Sequence, residues 1–178
     1  MTENRLPTLF IPHGGGPCFF MDWTMGPPDT WHKMRDWLSA LLASVGTKPK
    51  AILIVSAHWE CDVTTVTSGA NPELIYDYFG FPPDTYALTW PAPGDPVLAD
   101  DIAAKLADAG IVCEKDAARG FDHGVFIPMK LINPEADIPT VALSLRSDLD
   151  PGYHLNVGAA LAPLRDQGVL IIASGFSY

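Results

Sequence analysis

The chain has 178 residues, of which 48% are hydrophobic, and this is enough to build one domain around a single core. Its 21 acidic and 11 basic residues give a formal net charge of −10, which argues against nucleic-acid binding because no basic surface is available to release counterions. No apolar stretch approaches the ~20 residues needed to span a bilayer, and the polar start lacks a signal-peptide pattern, so we expect no membrane partner and a cytoplasmic location.

Four continuous apolar runs predict buried strands, over residues 7–11, 51–56, 139–145 and 168–173. Because these runs do not alternate with polar residues, both faces of each strand must be covered, as in a parallel sheet with helices on each side. The sequence therefore predicts an α/β fold with a mostly parallel central sheet and helices on both faces. In such folds the active site lies at the carboxyl ends of the strands.

Three helices are predicted from apolar spacing and from capping residues. The first covers the apolar positions from Trp31 to Val45, with Asp29 as its N-cap and Gly46 just beyond its end. The second begins after Asp95, ends at Gly110 and has proline in its first turn. A weaker third helix is predicted over about residues 153–164.

Residues 71–94 form a segment of a different kind, in which six aromatic residues are interspersed with prolines. Irregular stretches of ~20 residues inside a compact domain are usually functional lids or binding loops. The alternative is an aromatic covering over the sheet edge, and both interpretations stay open. Since flat side chains suit a planar ring, Tyr78 and Phe79 are the candidates for substrate contact.

Three histidines lie where an apolar run gives way to glycine or a turn. His13 precedes three glycines, His58 follows the second predicted strand, and His123 precedes a glycine. Because the carboxyl ends of parallel strands converge on one crevice, we expect these imidazoles to meet there around a metal or a substrate. His32 and His154 lack such a context and are expected on the surface.

Each of these histidines also has a plainer structural interpretation. His58 taken alone is equally compatible with a core residue that bonds a backbone carbonyl. His123 taken alone is better explained as a histidine at the entry to a packed helix over 125–132, with Asp122 as the cap.

Two alternative chemistries fit the sequence poorly. The glycines after His13 resemble the oxyanion motif of esterases, but the nucleophile elbow G-x-S-x-G is absent from the sequence. A closed zinc site with Cys18 and Cys61 lacks the tight cysteine knuckles of such sites. Together with Cys113, these cysteines form an odd, widely spaced set, which predicts reduced thiols.

Five short strings, taken together, are more informative than any of them alone. They are His13–Pro17, Ser56–Glu60, Tyr76–Pro82, Phe121–Gly124 and Ser174–Tyr178. In this order along the whole chain they resemble the class III extradiol ring-cleavage dioxygenases, and in particular the 4,5-DOPA extradiol dioxygenase branch.

The resemblance implies a mononuclear non-haem Fe(II) site, often found occupied by zinc, at which O₂ opens a catechol ring next to the diol. His13 and His58 match the metal-binding histidines of the family. His123 matches its active-site histidine, which assists the bound oxygen and proton transfers. Catechol and O₂ are then the small-molecule partners, and the oligomeric state stays open, a homo-oligomer included.

The chain departs from the family at its end. Relatives place a histidine directly after the segment that matches Ser174–Tyr178, and they continue with further helices and another metal-site residue. We therefore expect residues 1–178 to be a single catalytic domain that lacks its C-terminal portion and leaves its last strand uncovered. On this interpretation a histidine follows Tyr178 in a longer protein, and the 178-residue chain alone has little or no dioxygenase activity.

Two other functions stay open. A non-catalytic binding protein of the Memo type, on the same fold, would retain the histidines as a pocket. A zinc hydrolase would act with zinc and would consume no O₂. Oxygen uptake on a panel of catechols after anaerobic iron loading distinguishes these functions from a dioxygenase.

Overall fold

A six-stranded sheet organises the computed structural model, which describes residues 5–176. The strands are β1 (Thr8–Pro12), β2 (Ala51–Cys61), β3 (Thr64–Thr67), β4 (Cys113–Asp116), β5 (Thr140–Arg146) and β6 (Val169–Gly175). Their order across the sheet is β1-β6-β2-β5-β3-β4. The first four of these run parallel, and β3 is antiparallel to β5 and parallel to β4. The prediction of a mostly parallel sheet is confirmed.

Helices cover both faces of this sheet, also as predicted. They are α1 (His32–Ser44), α2 (Pro96–Asp108), α3 (His123–Ile132) and α4 (Pro151–Leu161). On β2, Ile52 and Ile54 join the core formed with α1 and α3, whereas Leu53 joins the core formed with α2 and α4. Residues 51–54 of the strand are therefore buried on both faces, which explains the continuous apolar run. Within residues 5–176, no helix is both long and apolar enough to cross a membrane.

Two short strands, β3 and β4, are missing from the sequence prediction. Each has only four residues, and β4 is a polar strand at the edge of the sheet. The predicted helix over residues 153–164 is instead α4 followed by a separate 3₁₀ helix, Ala162–Gln167.

The predicted helix caps have mixed outcomes. Asp95 caps α2, since its carboxylate accepts a hydrogen bond of 2.9 Å from the backbone of Leu98. Gly46 follows α1 with a φ of +80°, as expected for a residue just past a helix end. Asp29 does not cap α1: only its backbone carbonyl contacts the first turn, 3.0 Å from the N–H of His32.

His154 lies at the surface, where it is partly exposed, and both of its ring nitrogens have partners. Its Nε2 accepts a hydrogen bond of 3.0 Å from the backbone of Arg146, and its Nδ1 lies 2.7 Å from the carbonyl oxygen of Asp150. The ring therefore joins the end of β5 to the start of α4. His32 is exposed, as expected.

The last strand is covered on both faces, contrary to expectation. Leu170 and Ile172 are fully buried against α1 and α3, and Val169 and Ile171 are buried against the opposite helices. Of the string Ser174–Tyr178, the structure describes residues 174–176; Ser177 and Tyr178 lie outside the described residues.

Strand β2 becomes irregular just before His58. Its pairing with β6 ends at Ser56, and its pairing with β5 is interrupted between Val55 and Glu60. The backbone of His58 is thus released from the regular ladder at the carboxyl end of the sheet, which frees its side chain to turn towards the neighbouring strand end.

Candidate active site

Three histidines converge at the carboxyl end of the sheet. His13 directly follows β1, His58 lies in the irregular part of β2, and His123 is the first residue of α3. The Nε2 atoms of His13 and His58 are 2.9 Å apart. One nitrogen from each of the three rings lies within 4.8 Å of the other two, so the group could hold a metal ion. The structure thus brings together the three histidines that the sequence singled out.

The glycines after His13 allow a turn that a side chain would block. Gly14 and Gly16 have φ values of +79° and +57°, which disfavour other residues. A Cβ on Gly14 would lie 2.5 Å from the Sγ of Cys18. Burial raises the pKa of the Cys18 thiol to about 12, and this cysteine packs against the turn. Among residues 5–176, the group that could hold a metal ion contains three histidines and no cysteine, which argues against a closed zinc–cysteine site.

The hydroxyl of Ser174, at the end of β6, determines which nitrogen of His13 carries the proton. Ser174 donates its single proton to the carbonyl of Gly124. Its Oγ lies 3.0 Å from Nδ1 of His13 and must therefore accept from it. His13 consequently carries its proton on Nδ1 and presents an unprotonated Nε2 to His58.

Asp77 holds His123 from the aromatic segment. One carboxylate oxygen, Oδ1, lies 2.8 Å from both Nδ1 and the backbone nitrogen of His123. Burial by itself would raise the pKa of Asp77, but the hydrogen bonds from His123 outweigh it, so the pKa is lowered and the carboxylate is ionised at neutral pH. Sequence reasoning missed Asp77, although it lies inside the quoted string Tyr76–Pro82.

A partly buried ion pair between Arg119 and Asp122 is linked to His58 through Ser56. The backbone N–H of His58 is 3.2 Å from Oγ of Ser56, which donates to Asp122 over 2.7 Å. Asp122 also accepts from Arg119 at 3.1 Å, and the guanidinium carbon of Arg119 lies 5.0 Å from the ring centre of Trp59. The sequence predicted that Asp122 caps α3. Its carboxylate is instead used in this network and makes no capping hydrogen bond to the helix.

The protonation states of His13 and His58 favour binding of a cation. Burial, followed by the nearby rings of His58 and His123, lowers the pKa of His13 to about 4. Burial and His123 also lower the pKa of His58. Both rings are therefore neutral at pH 7, which is the state in which imidazole binds a metal.

The aromatic segment is packed structure as well as a border of the site. Tyr78 is buried, its ring centre lies 5.9 Å from that of His123, and its hydroxyl donates to the carbonyl of Thr85 over 2.7 Å. Phe79 is 91% exposed and lies outside the histidine cluster. Of the two aromatic candidates, the structure places the Tyr78 ring beside a site histidine; substrate contact by either residue stays a prediction.

Comparison with known proteins identifies the family. Residues 7–177 match a family model described as the catalytic LigB subunit of aromatic ring-opening dioxygenase. The chain belongs to the LigB family. LigB dioxygenases are metal-dependent, and the three-histidine group is where this member could bind its metal.

Several relatives of this LigB-family chain carry dioxygenase names. A protein of Hapsidospora irregularis named dioxygenase tasH is 41% identical over 96% of this chain, and a Beta vulgaris protein named 4,5-DOPA dioxygenase extradiol is 42% identical over 97%. The crystal structure of an uncharacterized Escherichia coli K12 protein matches 96% of the chain with a TM-score of 0.72 and 33% identity. The chain spans 53%, 62% and 60% of the lengths of these three proteins, respectively.

Gly124 allows α3 to approach His58 closely in this LigB-family fold. A Cβ at this position would lie 2.7 Å from Oγ of Ser56 and 2.9 Å from Cδ2 of His58. We expect Gly124→Ala to destabilise the protein by about 1–3 kcal/mol, because the buried overlap exceeds the helix-propensity gain of about 1 kcal/mol. Urea unfolding measures the change in the free energy of unfolding.

Gly158→Ala is the matched control for this substitution. Gly158 is a helical glycine in α4, and a Cβ there meets nothing within 4 Å. The control should be neutral or stabilising, by up to about 1 kcal/mol. Equal effects of the two substitutions would show that close packing at Gly124 does not constrain the site.

The low pKa of His13 predicts that acid weakens the metal-free fold. The folded pKa is about 4, below the ordinary value of 6.5, so the unfolded chain binds this proton first as the pH falls. Lowering the pH from 7.5 to 5 should therefore remove about 2 kcal/mol of stability through this residue. His13→Gln should reduce the loss, measured by urea unfolding at both pH values, whereas the exposed His32→Gln should not. The same pH dependence in all three proteins would contradict this assignment.

Proposed function

We propose that this protein is an extradiol ring-opening dioxygenase that inserts O₂ into a catechol-type substrate at a mononuclear non-haem Fe(II) site. The observation that supports this proposal is the convergence of three imidazoles at the carboxyl ends of two parallel strands, in a member of the LigB family. The relatives named 4,5-DOPA dioxygenase extradiol support a catechol as the substrate class.

His13 and His58 are the proposed metal ligands, through their Nε2 atoms. Two neighbouring ligands on an octahedral ion are about 3 Å apart when each bond is about 2.1 Å, and these atoms are separated by 2.9 Å. The donor set of neutral nitrogens suits Fe(II) or zinc. When bound, iron would supply open positions for both catechol oxygens and O₂ and would transfer electrons between them.

His123 is the proposed acid and base. Its ring is buried beside the other two, and its Nδ1 is occupied by Asp77, so Nε2 is the nitrogen free to take a phenolic proton. A base held at the correct position contributes ~10²–10⁴ in rate. The ring of Tyr78 borders His123. The hydroxyl of Tyr78 is already bonded within the aromatic segment, so the ring is the part that could offer a flat surface to a planar substrate.

Anaerobic loading with Fe(II), followed by a panel of catechols and then oxygen, tests the proposed function. In a form of the protein extended at its C-terminus to the length of its relatives, we expect iron binding, a spectral change when catechol is added, and O₂ uptake equal to the amount of ring-opened product. The 178-residue chain alone is expected to show little or no such activity. Zinc-loaded protein is the control and should consume no O₂. Iron-loaded protein that binds no catechol and consumes no O₂ would favour a non-catalytic binding protein, and hydrolysis by the zinc form would favour a hydrolase.

A further inference from the structure

The carboxylate of Asp77 lies beside two of the three site histidines, His123 and His58. Its side chain is 27% exposed, and both of its oxygens face site histidines. Oδ1 lies 2.8 Å from Nδ1 of His123, and Oδ2 lies 4.0 Å from Nδ1 of His58. One carboxylate therefore faces the same nitrogen on two of the three rings, on the side away from the close contact between His13 and His58.

We propose that Asp77 is a positioning residue that keeps the proton of His123 on Nδ1 and thereby leaves Nε2 unprotonated for proton transfer. The inference rests on the proposed function only for the use made of Nε2. The placement of the proton is a property of the metal-free protein and can be measured separately.

The proton count at His123 supports this role. A neutral imidazole carries one proton, which can reside on either nitrogen. An ionised carboxylate has no proton to donate, so Nδ1 of His123 must be the donor in the 2.8 Å contact with Asp77. The backbone N–H of His123 donates to the same oxygen, also over 2.8 Å, which limits rotation of the carboxylate.

The segment that carries Asp77 is anchored on both sides of it. Before Asp77, Phe121 exchanges two backbone hydrogen bonds of 2.8 Å, one with Glu73 and one with Ile75. After Asp77, the hydroxyl of Tyr78 is bonded to a carbonyl of the same segment. Because Phe121 lies two residues before His123, these bonds tie the segment that carries Asp77 to the start of α3, and the carboxylate is held beside the imidazole.

His58 lies near the same carboxylate, at 4.0 Å, which is longer than a hydrogen bond. Nε2 of His13 is unprotonated, so Nε2 of His58 must be the donor in their 2.9 Å contact in the metal-free protein. If Nε2 of His58 binds a metal, its proton must move to Nδ1, which faces Oδ2 of Asp77. Asp77 is thus placed to support the proton position that each of the two rings needs.

Nitrogen NMR of the metal-free protein with ¹⁵N-labelled histidine tests the proton position directly. We expect wild-type His123 to carry its proton on Nδ1. Asp77→Asn should keep this form, because an amide oxygen accepts both hydrogen bonds, whereas Asp77→Ala should move His123 largely to the Nε2-protonated form. An Nε2 proton on His123 in the wild type would overturn the proposal, whether or not the alanine variant folds.

Kinetics on the iron-loaded, C-terminally extended protein distinguish positioning from general support of the fold. Asp77→Ala should lower kcat by ~10–100-fold with KM changed less than ~2-fold and iron content unchanged, and Asp77→Asn should recover most of the loss. Asp84→Ala removes the same charge from the exposed 3₁₀ turn of the same segment and should match the wild type.

The two proposals fail in different ways. Absence of dioxygenase activity in the C-terminally extended wild type would remove the proposed function and leave the NMR result standing. An active wild type whose His123 proton stays on Nδ1 in Asp77→Ala would overturn the role of Asp77 alone. A kcat loss in Asp77→Ala that Asp77→Asn does not recover would also contradict it.

Discussion

In a form of the protein extended at its C-terminus to the length of its relatives, His13→Ala and His58→Ala should each abolish retention of iron. The two Nε2 atoms lie 2.9 Å apart at the centre of the cluster, and removal of either leaves too few protein ligands to hold the ion. Metal analysis after anaerobic loading and gel filtration should show about one iron per wild-type chain and close to none in either variant.

His32→Ala is the control for these two variants. His32 is the first residue of α1, is exposed and lies outside the cluster, so its removal should leave the iron content at the wild-type value. Circular dichroism should show that all three variants are folded. Full iron retention by either His13→Ala or His58→Ala would exclude that residue as a ligand.

His123→Ala should keep the metal and the catechol while lowering kcat by ~10²-fold or more. The physical reason is that the ring is held by Asp77 through Nδ1 and has only Nε2 available for proton transfer. Steady-state O₂ uptake gives kcat, and catechol titration under anaerobic conditions gives the dissociation constant for the substrate.

The iron content of the His123→Ala variant decides between two roles for this residue. One ring nitrogen from each of the three histidines lies within 4.8 Å of the other two, so the ring of His123 is close enough to serve as a metal ligand as well. Loss of iron with unchanged turnover per bound iron would make His123 a ligand. Retained iron with slow turnover would identify it as the acid and base.

The sequence was sufficient for the four parallel strands β1, β2, β5 and β6 and for the three histidines, because both are encoded locally. A strand buried on both faces needs apolar residues at every position, as on β2 and β6. His13 and His58 follow such runs, and the carboxyl ends of parallel strands meet at one edge. The Asp95 cap of α2 is equally local, because a capping side chain bonds the backbone three residues later.

Local rules failed where a distant partner competed for the same group. Asp122 has the position of an N-cap for α3, but its carboxylate is bonded to Ser56, 66 residues away, and to Arg119. β3 is a buried strand of four residues whose pairing partners are β4 and β5, and so short a run has no periodicity to detect.

What the sequence by itself determined was the layered α/β architecture and the candidate histidines, since burial and strand ends leave patterns within a few neighbouring residues. Only the tertiary structure decided which groups hold those rings. Ser174 reaches His13 across 161 residues, and Asp77 reaches His123 across 46. Such contacts leave no periodic signal, because a single polar side chain becomes a hydrogen-bond partner only when packing of the whole chain brings it within 3 Å.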